Sequence, residues 1–133
     1  MERLKQFQIF YRKAKTDLAM ARLAQANPSD EIDNEAILFH LQQATEKFLK
    51  SLFSFRGIVV EKTHDIEAIA KKGKIAQIEL PNYIEELYDL TEYAVEGRYG
   101  QIHDDIENID IYFERIESLK CFVEESYNQS QGG

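Results

Sequence analysis

Cysteine is nearly absent from this chain: Cys121 is the only one in 133 residues. No intrachain disulfide can form, and no cysteine-based metal site. Cys121 lies at a helical position beside Phe122 and Val123. That setting fits packing or an unreactive surface thiol better than a nucleophile. Long apolar runs are missing too. None approaches the roughly 18–20 residues that a membrane span requires, so no membrane association is expected. The first residues, Met1-Glu2-Arg3-Leu4-Lys5-Gln6, lack the apolar stretch of a secretion signal, and a cytoplasmic location is the expectation. The three histidines are dispersed and no H-x-x-E-H spacing occurs, so neither a metal nor a cofactor is expected. Strand-like alternation, internal repeats, low-complexity stretches and linkers are all lacking. One domain over residues 1–127 follows, with residues 128–133 as a frayed or disordered tail.

What is present is charge, unevenly spread. Sixteen Lys and Arg face 24 Asp and Glu, a net charge of −8, which argues against broad, unaided binding of nucleic acid. Residues 1–83 carry 13 basic and 11 acidic side chains; residues 84–133 carry 3 and 13. A polyanion reaching the second half must be received by the more basic first half, or by a partner chain. Hydrophobic residues make up 44% and charged residues 30%, the profile of a folded globular domain.

Helical periodicity dominates. Leu4, Phe7, Tyr11, Ala14, Leu18 and Ala21 step by three and four, which predicts a helix from about Arg3 to Ala26. Asn27-Pro28-Ser29-Asp30 stops it and favours a new start. A second helix is predicted from about Asp30 to Arg56, with Ile32, Ala36, Phe39, Gln43, Phe48, Leu52 and Phe55 inward and Gly57 as its C-terminal cap. Ile58-Val59-Val60 reads as an extended connector without a strand to pair with. Thr63-His64-Asp65 opens a short third helix that carries Ile66, Ile69 and Ala70 inward and closes at Lys71-Lys72-Gly73-Lys74. Pro81 starts a fourth helix with Ile84, Leu87, Leu90 and Ala94 as its stripe, ending at Gly97. Residues 98–102 form a loop, and a last helix runs from near Asp104 to about Tyr127. The expected fold class is all-α: a four-helix up-and-down bundle with an additional short helix.

Several polar sets could carry chemistry. Arg98 and His103, with four residues between them in a polar stretch, join a permanent cation to a side chain that moves protons near neutral pH. They can serve metal-free phosphodiester cleavage, or they can pair with Asp104 and Asp105 and cap the last helix. Gln43, Glu46, Lys47 and Lys50 share one face of the second helix. Lys47 and Lys50 could bind a nucleotide or phosphate, or the set could be a structural network. His64 with Asp65 could form a base oriented by a carboxylate, or cap the third helix. His40, beside apolar positions, reads as a bundle histidine. Tyr83, Tyr88, Tyr93 and Tyr99 cluster around the fourth helix and could line a dimer interface.

The motifs resemble those of HEPN-domain proteins. Ala14-Lys15-Thr16-Asp17-Leu18-Ala19-Met20-Ala21 is similar to the family's A-x-x-D-L-x-x-A. His40-Leu41-Gln42-Gln43-Ala44-Thr45-Glu46-Lys47-Phe48-Leu49-Lys50 resembles its H-x-x-Q-A-x-E-K-x-L-K, Thr63-His64-Asp65-Ile66 its T-H-D-L, and Arg98-Tyr99-Gly100 its R-Y-P. The likeness covers roughly residues 5–125. It implies a homodimer, a minimal nucleotidyltransferase as partner in a toxin–antitoxin pair, and a metal-independent RNase acting on RNA. The family's arginine–histidine motif falls on Arg98 and His103, and two copies of it would meet across the dimer. Tyr99 departs from the small polar residue usual at that position in RNase-type members. The alternative is a non-catalytic module that binds a nucleotide or a partner protein.

Overall fold

The computed structural model describes residues 4–60, 62–94 and 109–131. Helix α1 spans Gln6–Ala26, and the Gln8 side chain accepts from the Lys5 backbone N–H at 2.8 Å at its start. Asn27 caps the other end, donating from its side chain to the Leu23 carbonyl at 2.8 Å. Helix α2 spans Asn34–Phe55 and so begins later than the expected Asp30. Two local bonds explain the delay. Ser29 Oγ accepts from the Glu31 N–H at 3.1 Å and holds a turn, and Asp33 caps α2 by accepting from the Ala36 N–H at 3.0 Å.

Gly57 ends α2 at φ +77°, with the Ile58 N–H on the Phe53 carbonyl at 2.9 Å and the Gly57 N–H on the Ser54 carbonyl at 3.0 Å. Helix α3, Ile66–Ile75, closes in the same way: Ile78 bonds Gly73 at 2.8 Å and Gln77 bonds Lys74 at 3.0 Å. Here the left-handed position is filled by Gln77, at φ +64°. Gly73 does not end α3 but packs inside it against the Phe53 ring.

The fourth segment differs most from expectation. Asn82–Tyr93 is a 3-10 helix rather than an α-helix. The Ile84 N–H bonds the Pro81 carbonyl at 3.1 Å, and the Ala94 N–H bonds Thr91 at 3.0 Å. Its buried residues, Ile84, Leu87 and Leu90, recur every three positions. That spacing puts them on one face of a helix with three residues per turn, whereas an α-helix would rotate them progressively off the core. Helix α4 is described over Ile109–Gln131, so residues 128–131, expected in a tail, are helical. The expected start near Asp104 lies outside the described residues.

Residue pairs set the directions. Ser51 Oγ donates to the Phe7 carbonyl at 2.7 Å, and His40 meets Asp17 at 3.0 Å, so α1 and α2 are antiparallel. Tyr11 bonds Glu124, and Gln25 donates to Asp110 at 2.9 Å, so α4 also opposes α1. Arg115 Nε donates to Glu86 at 3.0 Å while Tyr83 and Cys121 line one groove, which runs the 3-10 helix against α4. The result is an up-and-down bundle in which the 3-10 helix takes the third place and α3 is the extra short helix. No strand occurs among the described residues.

Helix α2 is the central column and touches every other element. Between Leu41 and Phe53 every residue except Gln43 and Lys47 is buried. The core joins Ala14, Leu18 and Ala21 of α1 to Leu41, Phe48, Leu49 and Leu52 of α2. Ile66 and Ile69 of α3, Leu87 and Leu90 of the 3-10 helix, and Ile116, Leu119 and Val123 of α4 complete it. Leu4 and Ile32, expected inward, are exposed.

Candidate functional site

Arg98 and His103 lie outside the described residues, as do Tyr99 and Gly100. The described structure instead gathers the other three motifs into one polar band around α2. Asp17 of α1 is buried between helices. Its Oδ1 accepts from His40 Nδ1 at 3.0 Å and its Oδ2 from Lys47 Nζ at 2.6 Å. Glu46 is only 2% exposed; its Oε1 accepts from Lys50 Nζ at 3.1 Å and from His64 Nδ1 at 2.7 Å. Each buried carboxylate thus holds one lysine and one histidine. Burial of a carboxylate demands such partners, because its charge has left water.

Two amides of α2 add to the band. Gln42, fully buried, donates to the His64 carbonyl at 2.9 Å and accepts from Gln43 Nε2 at 2.6 Å. His64 is therefore held at both its backbone and its ring, and the start of α3 is fastened to α2. Thr63 Oγ1 accepts from the Asp65 N–H at 3.2 Å, and Asp65 caps α3 at Ala68. The Ile66 N–H reaches Thr91 Oγ1 at 3.0 Å, which ties the same point to the 3-10 helix.

Lys47 and Lys50 are not brought together as a pair of free cations. Lys47 crosses to α1, and Lys50, nearly buried, bonds back one turn to Glu46. A phosphate at either ammonium would compete with a carboxylate already in place. Asp65 does not orient His64; Glu46 does. His64 Nδ1 is bonded to Glu46 and its side chain is 64% exposed. No described hydroxyl or thiol is bonded to it as a nucleophile. His40 packs edge-on to Phe39, with 5.3 Å between ring centroids, and bonds Asp17, which fits the bundle role.

Asp17 and Gln42 stand inside the quoted motifs, yet sequence reasoning gave them no role. The clue for Asp17 is a carboxylate set among Ala14, Leu18 and Ala21, on the stripe that faces the core. Tyr83, Tyr88 and Tyr93 pack against the core, and burial raises the pKa of each above the ordinary tyrosine value. Among the described residues no group of three His, Cys, Asp or Glu could hold a metal, and no helix is long and apolar enough to cross a membrane.

No curated protein and no solved structure matches the chain. The family model for the HEPN domain matches residues 7–126, a span that contains all three motifs of the polar band and the Arg98–His103 stretch. With the helical bundle and the band both in place, the chain belongs to the HEPN-domain family.

Proposed function

We propose that this chain is the HEPN component of a toxin–antitoxin-like pair and cleaves RNA without a metal through Arg98 and His103. The observation that carries the reading is the division of labour among the three histidines. His40 and His64 are tied to Asp17 and Glu46, the two buried carboxylates that join α1, α2 and α3. The third, His103, stands five residues beyond an arginine, with four between them, inside the span matched by the family.

The chemistry would run as follows. His103 takes the proton of a ribose 2′-hydroxyl, and the oxygen attacks the adjacent phosphorus. Arg98 holds the phosphate and the negative charge that grows on it. A histidine from a second copy of the chain protonates the departing 5′-oxygen. The products are a 2′,3′-cyclic phosphate and a 5′-hydroxyl end. In this reading Lys47 and Lys50 are counter-ions of the framework, and a minimal nucleotidyltransferase is the partner protein.

Purified protein incubated with RNA and EDTA should cleave it, and both Arg98→Ala and His103→Ala should lose that activity. Equal, negligible cleavage by all three proteins would turn the reading to a non-catalytic nucleotide- or partner-binding module. Heat on titration with ATP or GTP would then be the next measurement.

A further inference from the structure

The strongest feature outside the polar band is a groove at the N-terminal end of α1. Leu4, Phe7, Gln8, Tyr11, Arg12, Phe55 and Tyr127 enclose about 330 Å³. Four of the seven are aromatic and form one connected cluster. The Phe55 and Tyr127 ring centroids lie 4.7 Å apart, Phe7 and Phe55 5.0 Å, Phe7 and Tyr127 5.2 Å, and Tyr11 and Tyr127 5.8 Å. All four rings are only partly buried.

Cations surround these rings. Arg12 lines the groove, and Lys15 Nζ stands 4.8 Å from the centre of the Tyr11 ring. Arg12 and Lys15, three residues apart, share one face of α1, and Lys5 stands at its N-cap. Arg56 follows Phe55 at the same end of the bundle. All four are exposed, whereas Arg22 and Arg115 are engaged by Glu117 and Glu86. Among the described residues no carboxylate lines the groove; Glu124 accepts the Tyr11 hydroxyl at its edge.

Two other grooves make the contrast. The one between the α1–α2 turn and Ile109 is lined by Asp33 and Glu35, and the one beside Cys121 by Glu117 and Glu125; neither has a cation. In a chain of net charge −8, the aromatic groove is a local basic site. Partly exposed aromatic rings, packed edge to face, beside positive charge match one ligand chemistry: bases that stack on a ring while their polyanionic backbone meets the cations.

We infer that this groove receives single-stranded RNA, with the Phe7, Phe55 and Tyr127 rings stacking bases and Lys5, Arg12, Lys15 and Arg56 holding phosphates. The inference rests on the RNA-cleaving reading above and gives that reading its point of substrate capture. The acidic second half repels a polyanion, and the groove supplies the attraction from the first half. Duplex RNA fits poorly, because its bases are already stacked on one another.

The test separates capture from cleavage. A fluorescent single-stranded oligouridine carrying 2′-O-methyl groups has no free 2′-hydroxyl and cannot be cut by the proposed chemistry. Its anisotropy is followed against wild type, Arg12→Glu/Lys15→Glu and Phe55→Leu, with Lys71→Glu/Lys74→Glu on α3 as the control. Binding should weaken roughly ten-fold or more in the charge-reversed pair and about five-fold or more in Phe55→Leu, and remain unchanged in the control. Thermal melts confirm that each variant is folded; Gln8→Glu, an exposed change at the groove wall, serves if Phe55→Leu is not. Groove variants that bind like wild type, no binding by wild type, or equal binding of polyglutamate would overturn the inference. Cleavage that fails while this binding stands would remove the catalytic reading alone. Cleavage that persists undiminished in the groove variants would remove the groove alone.

Discussion

Asp17 Oδ2 lies 2.6 Å from Lys47 Nζ, joining α1 to α2 across 30 residues of sequence. The same carboxylate holds His40, so one buried side chain anchors two positions almost two turns apart on α2. Asp17→Ala removes both anchors and should destabilise the protein by about 2–3 kcal/mol in urea unfolding. Lys47→Met should cost less, because Asp17 keeps His40. The double variant should be less destabilised than the sum, with a coupling of about 1 kcal/mol. Strict additivity would show that the pair is not coupled.

Much of this bundle was legible from the spacing of apolar residues, and the places where it was not have separate physical causes. α1 and α3 each have one wet face, so their periodicity survives in the sequence. α2 is surrounded, and between Leu41 and Phe53 nearly every position is buried, which erases the period that would locate an inner face. Of the inner face assigned to Ile32, Ala36, Phe39, Gln43, Phe48, Leu52 and Phe55, Phe48 and Leu52 are buried, Ile32 is exposed and the others are half-buried. The 3-10 helix was visible in the three-residue spacing of Ile84, Leu87 and Leu90, but that spacing also occurs on α-helices. The polar band was half legible. Glu46 with Lys50 is a one-turn pair that spacing predicts, whereas Asp17 with Lys47 and Glu46 with His64 depend on how helices rotate against one another.

Gly73 tests the seam between α2 and α3. A Cβ there would stand 2.5 Å from Phe53 Cζ, and that ring is buried in the core. Gly73→Ala gains helix propensity of about 1 kcal/mol but must push the ring aside. A net loss of about 1–2 kcal/mol is expected from thermal or urea unfolding. A stabilised Gly73→Ala would mean that α3 can shift away from Phe53 freely.

Gln77 tests the backbone. It occupies the left-handed region at φ +64° where the matching position after α2 has Gly57. Gln77→Gly should raise stability by up to about 1 kcal/mol, since a side chain in that region is strained. Gly57→Ala should lower it by a similar amount. Chemical unfolding of the two variants side by side checks both signs.

Alkali should unfold the protein through its tyrosines. Burial raises the pKa values of Tyr11, Tyr83, Tyr88, Tyr93, Tyr112 and Tyr127 above the ordinary value. For Tyr11, the bond to Glu124 adds to the rise. The unfolded chain releases these protons near pH 10, while the folded chain keeps them to higher pH. Above about pH 10 the native state therefore binds more protons, and stability falls as pH rises. The stabilisation is fully present below that pH. Urea midpoints measured from neutral to strongly alkaline pH should hold until about pH 10 as far as these groups are concerned, then decline; Tyr11→Phe should decline less steeply.

The most direct test of the account is the chemistry at the ends of cleaved RNA. Fragments made by the purified protein in EDTA should carry 2′,3′-cyclic phosphates and 5′-hydroxyls, seen by mass spectrometry, and none should form with His103→Ala. Fragments with 5′-phosphates, or the same products in equal yield from His103→Ala, would contradict it.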